Sequence, residues 1–408
     1  MVSYLTRIVG LGRLDMAEDV VQDTLCRALE TWPVDGLPDN PSAWLMRVAR
    51  NRAIDILRRD DQFRYFTPEL TYLLKLREDL PIDACFEMEI QDDQLRMMFS
   101  CCHPELSTEA QVTLILKTLC GFSVSEIAHA LLAGEDAIEK RLGRARKLFR
   151  SMGSFVEVAD ASEIRARMDA VYQAIYLLFN EGYHGSRPER TGPPIHEDLC
   201  MEAIRLALLL SEHPEGGEPR TYALLALLCF HAARIPGRMN DDGALIQLEL
   251  QDRSRWDRDL IGRGFYFLEK SSVGNELSEY HLESAIAALH CAAQTYEEIE
   301  WGKILELYDL LYKLKPTPIV ALNRAIALGL AMGPEEGLAE LNKIPDQARL
   351  KDYPFYQAAQ GEFHRLAGRL EEAAKGFEKA AKLARSQSET DFFDRKLKAC
   401  KPSYPLQS

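Results

Sequence analysis

The chain has 408 residues, 47% of them hydrophobic, and a formal net charge of −14. That apolar content excludes a disordered chain, and no apolar run reaches the roughly 18–20 residues that cross a bilayer. The acidic total speaks against a chain that binds nucleic acid with its whole surface, because phosphate contacts need Lys and Arg.

Length allows two or three domains. The start lacks the basic and apolar segments of a secretory signal. Nine cysteines occur with no Cys-x-x-Cys pair, which argues against a disulfide framework and fits a reducing cytoplasm. Charge is informative only once located. Residues 137–150 hold Lys140, Arg141, Arg144, Arg146, Lys147 and Arg150 against the single acid Glu139. A locally basic helix on an acidic protein can still bind DNA.

Periodicity reads as helix almost throughout, so the expected fold class is all-α. Val21, Leu25, Ala28 and Leu29 form an apolar stripe that ends at Trp32-Pro33, and Asp35 to Pro41 is turn chemistry. A second helix starts near Ser42, a natural cap, and runs to about Arg59. On a wheel, Trp44, Arg47, Asn51, Asp55 and Arg58 fall within about 80°, while Leu45, Ala49 and Ile56 point the opposite way. One face thus joins an aromatic ring, polar groups and cations, with Arg50 and Arg59 flanking it. That is equipment for holding unstacked bases and phosphates. A solvated face with a half-buried Trp is the alternative.

Residues 61–92 are mixed and charged, with Pro68 and Pro81, and read as a linker. Cys101-Cys-His-Pro104 invites a metal reading. Adjacent cysteines poorly supply two tetrahedral ligands, though, so a buried helix start is the expectation and no metal or cofactor is assigned. Ser125–Leu131 and Asp136–Arg150 read as two helices about a short turn at Ala133–Asp136, with Asp136 as cap. Ile127, Ala128 and Leu131 face inward on the first. Ile138, Leu142, Ala145 and Phe149 form the core stripe of the second, with Lys140, Gly143, Arg144 and Lys147 opposite. A short basic helix after a tight turn suits the major groove. A basic surface helix of a bundle is the alternative.

Helix continues from about 160 to the end, with breaks expected at 182–194, 213–219, 236–243, 316–318, 333–334 and 345. Gly361–Ala380 has small residues where two antiparallel helices would pack, with Gly368 near their turn, and 319–341 has a similar texture. Both suit a tetratricopeptide-like unit or an ordinary helical hairpin. Asn180, Glu181, His184, Asp252, Arg253 and Arg255 could line a ligand pocket or act as caps and ion pairs at turns. No nucleophile elbow, P-loop, His-Glu-x-x-His or dinucleotide loop occurs, so no enzyme is expected.

Three blocks carry a resemblance. Ala17-Glu-Asp-Val-Val-Gln-Asp-Thr24, Trp32, and Asn40 through Arg59 closely resemble the second conserved region of extracytoplasmic-function sigma factors. The resemblance implies that Glu18, Asp19, Gln22, Asp23 and Thr24 sit in or beside a contact with the β′ clamp helices of core RNA polymerase. It also implies that Trp44, Arg47, Arg50, Asn51, Asp55, Arg58 and Arg59 open and hold the −10 element. Ser123 to Lys147 resembles the fourth conserved region, which reads the −35 element beside the polymerase β flap. There Ala137, Glu139, Lys140, Arg141, Gly143, Arg144 and Lys147 are the implied DNA-binding residues. Leu132 stands where many members have Gly, and Gly134 follows two residues later. Only 16 residues precede Ala17, so the first helix of the region reads as truncated.

The Cys-Cys-His-Pro stretch, Tyr176–Tyr183, Leu199–Leu206, Gln251–Trp256 and Ala321–Ala325 resemble a sigma subgroup with a regulatory helical extension. The implied organisation is region 2 at 1–60, a linker at 61–92, region 4 at 93–155 and a tetratricopeptide-like domain at 156–408. Expected partners are core RNA polymerase, promoter DNA, and an intramolecular or protein partner of the extension, with no membrane. A helix-turn-helix regulator with a ligand- or protein-sensing tail is the alternative.

Overall fold

The computed structural model describes residues 1–59, 93–131, 133–151, 161–184, 195–240, 245–345, 350–384 and 387–400. Among these, every regular element is helical, apart from an isolated bridge between Met239 and Leu245. The fold is all-α. It divides into two compact units, Met1–Leu177 and Leu178–Ser408.

The first unit begins with α1 (Val2–Val9), a 3-10 turn at Leu11–Arg13, α2 (Leu14–Asp35) and α3 (Pro41–Arg59). Tyr4, Leu5, Val9, Ala17, Val20, Met46, Ala49, Ala53 and Leu57 form one buried cluster. The face that α2 buries differs from the expected stripe. Ala17, Val20, Thr24 and Ala28 are buried, while Leu25 and Leu29 are 44% and 75% exposed. Small side chains on the inner face let α3 approach closely, and the larger leucines are left outside. Pro33 does not end α2, which continues to Asp35 and stops at Gly36, φ 88°. On α3, too, the buried face (Met46, Ala49, Ala53, Leu57) is turned by about 60° from the expected one. Asn40, not Ser42, caps α3, accepting a bond from the Ala43 amide at 2.9 Å. Pro41 occupies the first helical position, where no amide proton is needed.

Residues 93–101 form α4, followed by α5 (Thr108–Thr118), α6 (Val124–Ala130) and α7 (Glu135–Ser151). Cys101 and Cys102 are fully buried at the end of α4, not at a helix start. Burial pushes the Cys101 thiol up to about 12, so it stays protonated among apolar neighbours.

Helix α8 (Ala161–His184) crosses the boundary between the units. The second unit continues with α9 (Glu197–Glu212), α10 (Pro219–Ala233), α11 (Arg258–Ser271) and α12 (Glu279–Ala292). Leu224 through Phe230 on α10 are at most 1% exposed, so this helix is covered all round. The end of α10 then meets the end of α12. Arg253 donates to the carbonyls of His290 (2.7 Å) and Ala293 (2.8 Å), and the Asp257 amide donates to Ala233 at 2.9 Å. The Arg253 and Arg234 guanidiniums lie 4.5 and 5.3 Å from the Trp256 ring centroid. Cations beside helix carboxyl ends offset the negative end of the backbone dipole. Burial first, then these two arginines, push the His290 imidazole down to about 3.

The rest of the unit is a series of hairpins: α13 (Trp301–Leu314), α14 (Pro318–Met332), α15 (Pro334–Leu341), α16 (Pro354–Leu366), α17 (Leu370–Leu383) and α18 (Gln387–Cys400). Gly368, at φ 76°, turns α16 into α17. A Cβ at Gly376 would lie 2.7 Å from the Gly361 Cα, so the two backbones nearly touch. Phe363 fills the equivalent crossing between Gly329 and Gly337. Arg324 ties three helices together, bonding Asp309 of α13 and Glu340 of α15 from α14.

Two predictions follow from these contacts. Gly376→Ala forces backbone against backbone and should destabilise by about 1–3 kcal/mol. Gly262→Ala, on an open face of α11, should gain up to about 1 kcal/mol from helix propensity. Urea denaturation of both variants checks the contrast, and equal shifts would refute the close crossing. For His290, the unfolded imidazole binds a proton near 6.5 and the folded one only near 3. The unfolded state thus holds more protons in between, and stability falls as pH drops through that window. Between pH 7 and 5, His290→Gln should lose less stability than the parent protein, by at most about 2 kcal/mol.

Candidate nucleic-acid interface

Three helices of the first unit carry the residues in question. On α2, Asp19, Gln22 and Asp23 are exposed and Glu18 is half-buried. Thr24 is only 1% exposed, and its hydroxyl donates to the Val20 carbonyl at 2.7 Å. It lies beside, not in, the surface formed by the other four. Asp23 faces Arg52 of α3 at 3.7 Å. Leu25 and Leu29 continue the Glu18–Gln22 side of the helix as an exposed apolar strip.

On α3, Arg47, Asn51 and Asp55 stand exposed one turn apart, each four residues from the last. Trp44 begins this row, half-buried, with its ring 5.6 Å edge-on from Trp32. Arg50 is half-buried alongside. Neither Arg47 nor Arg50 pairs with a carboxylate among the described residues. The side chains of Arg58 and Arg59 lie outside the described ones. The row therefore presents an aromatic ring, an amide, a carboxylate and the Arg47 cation, unpaired among the described residues, on the side opposite the buried residues. Stacked bases and phosphates require that combination.

Helices α6 and α7 pack on each other across a short connection. Ser123 and Glu126 cap α6 reciprocally: the Ser123 amide donates to the Glu126 carboxylate at 2.8 Å and the Glu126 amide to the Ser123 hydroxyl at 3.2 Å. The amides of Ala137 and Ile138 donate to the Gly134 carbonyl, so α7 starts at Glu135. Asp136 thus lies inside the first turn, not at the cap expected from the sequence. It still favours the positive end of the helix dipole. Ile138, Leu142, Ala145 and Phe149 are buried, at 4% exposure or less.

The remaining α7 residues divide between two sides. Lys140, Arg144 and Lys147 are exposed and make no ion pair among the described residues. Ala137 and Arg141 are half-buried. Glu139 and Gly143 instead line a cleft of about 740 Å³ between α7 and α2. At one wall of this cleft Arg146 lies 3.0 Å from the Asp15 carboxylate and 2.8 Å from Glu18, while Arg150 also bonds Asp15. Asp15 belongs to no motif in the sequence. Only its position one turn before Glu18 could have suggested it. Burial raises the Glu18 carboxyl above its ordinary range, against the lowering effect of Arg146.

In the second unit three of the six polar residues that could line a pocket, Asp252, Arg253 and Arg255, have local partners. Asp252 accepts from the Ser254 amide at 2.9 Å and its hydroxyl at 2.6 Å. Arg253 clamps the end of α12, as above, and Arg255 reaches the Met239 carbonyl at 3.5 Å. Glu181 is 4% exposed and Asn180 half-buried on α8. The side chain of His184 lies outside the described ones. The backbone of that helix end is held by Arg238, which donates to the Tyr183 carbonyl at 2.7 Å and stacks on its ring.

Comparisons with known proteins bear on both units. Residues 1–63 match Sigma-70 region 2, and residues 167–272 match the family of unknown function DUF6596. An uncharacterized protein of Rhizobium meliloti (strain 1021) is 38% identical over 387 residues, spanning 94% of this chain and 90% of its own. No solved structure matches. The chain belongs to one family with that Rhizobium protein, and its region 2, built from α1 to α3, makes it a member of the sigma-70 family.

Proposed function

We propose that the protein is an extracytoplasmic-function-type sigma factor, acting in the cytoplasm and not as an enzyme. It binds core RNA polymerase, opens promoter DNA with α3 and reads an upstream element with α7. The observation that carries this reading is the exposed row of α3. Trp44, Arg47, Asn51 and Asp55 stand opposite the buried face of a helix that lies within the matched region 2. Glu18, Asp19, Gln22 and Asp23, with Leu25 and Leu29 beside them, form the polymerase-facing side of α2. Lys140, Arg144 and Lys147 meet phosphates and base edges of the upstream duplex. The second unit is a tetratricopeptide-like regulatory domain. Its glycine-lined hairpins and the arginine clasp of α13, α14 and α15 support a rigid scaffold of that kind.

Run-off transcription with core polymerase, on promoters selected by binding, tests the proposal. A promoter-specific transcript that requires the protein is expected. A helix-turn-helix regulator would instead bind DNA without capturing core polymerase in a pull-down, and that result would replace this reading.

Two substitutions separate the roles. Arg144→Ala should weaken upstream duplex binding and reduce the slope of log K against log salt by about 0.9, while core polymerase binding is kept. Trp44→Ala should leave polymerase capture intact and lose strand opening, read by permanganate reactivity of thymines. Loss of one stacking contact is worth about 1–3 kcal/mol.

A further inference from the structure

Two arginines of the second unit carry charge without a carboxylate beside them. Arg234 follows α10, and its side chain makes no hydrogen bond or ion pair with any described residue, although its Nε is buried. Arg253, 8% exposed, gives both of its helix-end bonds from Nη1, to the carbonyls of His290 and Ala293. Its buried Nη2 has no partner. Arg7, Arg96, Arg146 and Arg220 also leave one buried nitrogen unbonded, but each faces a carboxylate at 3.7 Å or less. The acids whose charge reaches Arg253 are Glu297 and Glu298. Both are engaged elsewhere, Glu298 by the Gln294 amide at 2.8 Å and Glu297 by Thr295.

Two further nitrogens belong to the same cluster. Both guanidiniums rest on the Trp256 ring, 4.5 and 5.3 Å from its centroid. Trp256 is 2% exposed, and its Nε1 has no partner. A Cβ at Gly237 would stand 2.7 Å from that nitrogen, so glycine keeps the indole edge clear of a side chain. His290, whose carbonyl Arg253 binds, leaves its Nδ1 unbonded. Each of the four nitrogens is a donor or can be one, since a neutral imidazole carries its proton on either nitrogen. A buried donor without a partner is a loss to the fold. Helix termination uses Arg253 Nη1 and leaves these four unexplained.

A cluster of donors with two cations and no carboxylate selects an anion. Water brings two lone pairs and no charge. Chloride is a single atom, and a carboxylate offers its oxygens in one plane. A tetrahedral oxyanion presents oxygens in several directions, as donors from separate residues require. We propose that Arg234 and Arg253, with Trp256 Nε1 and His290 Nδ1, bind a tetrahedral oxyanion, phosphate or the phosphoryl group of a phosphate ester, where α10 and α12 end. The half-buried Arg234 is the solvent-facing side of the site. Burial and the neighbouring Arg234 press the Arg253 guanidinium below its ordinary range, and a bound anion relieves that repulsion. The site belongs to the second unit alone and does not rest on the sigma-factor reading. Under that reading it gives the regulatory domain a small-molecule input.

The test is an NMR titration of the isotope-labelled full-length protein at constant ionic strength, following its tryptophan indole resonances. The chain has four tryptophans, and Trp256→Phe assigns the one in question. Inorganic phosphate and sulfate should shift the Trp256 indole N–H saturably, with Kd on the order of 1 mM or lower. Acetate and chloride should not, and Trp32 and Trp44 should stay in place. Arg234→Gln, which breaks no bond of the fold, should weaken phosphate binding about tenfold with helical circular dichroism unchanged. Should that variant lose its helical signal, Arg234→Lys, which keeps the charge without the planar fork, should weaken binding about threefold. Glycerol phosphate separates the two sources: tighter binding than inorganic phosphate assigns an ester, weaker binding the free ion. A Trp256 resonance that phosphate leaves unmoved, or that chloride moves equally, would overturn the site. So would undiminished phosphate binding by a folded Arg234 variant.

Discussion

The pairing of the acidic side of α2 with the basic side of α7 constrains everything the first unit can present to a partner. Glu18 carries the tension in it. Burial raises its carboxyl pKa and Arg146 lowers it, and burial prevails. A carboxylate in that position is charged more easily with its arginine than without it. Asp15, shared between Arg146 and Arg150, holds the two cations on the same side of α7. The consequence for α7 is a division of labour among its cations. Arg146 and Arg150 are committed to α2, and Lys140, Arg144 and Lys147 remain turned away from it.

The second unit obeys a different constraint. A molecule built of helices has no sheet to absorb unpaired carbonyls at buried helix ends, so side chains must supply the donors. Where α10 and α12 end together, Arg253 bonds two of those carbonyls, and both Arg253 and Arg234 rest on Trp256. Neither guanidinium pairs with a carboxylate among the described residues. The helix ends and the indole face supply the negative potential instead. His290 stays neutral chiefly because it is buried, and a further positive charge would also meet both arginines. The bonds made within the cluster around Asp252–Trp256 are thus accounted for by helix termination.

How much of this was legible in the sequence depended on the size of the side chains that decide it. The core stripe of α7 was readable because Ile138, Leu142 and Phe149 are large and regularly spaced. The buried face of α2 was not, because Ala17, Thr24 and Ala28 are small, while Leu25 and Leu29 draw the eye and stay exposed. Gly368 and the paired glycines marked the α16–α17 hairpin correctly, since a positive φ and a close crossing both need glycine. The break between α12 and α13 was missed. It contains neither Gly nor Pro, and its turn is held by the Glu298 carboxylate accepting from the Gln294 amide. The three candidate surfaces were visible as residue types, but the contact between two of them was not. Nothing in local spacing connects Arg146 with Asp15, which lies 131 positions earlier.

The charge distribution gains a physical sense from that long-range pair. Affinity of a helix for duplex DNA grows with the number of phosphates its cations neutralise, and each adds to the salt dependence. With Arg146 and Arg150 engaged by α2, α7 offers Lys140, Arg144 and Lys147 as exposed cations that make no ion pair among the described residues. Under the proposed function, three such contacts on a chain of net charge −14 would give weak duplex binding at physiological salt. Under the proposed function that weakness is a requirement. A factor that bound promoters tightly by itself would occupy them without polymerase. An acidic body and a partly neutralised reading helix leave DNA affinity to be completed by the assembly the protein joins.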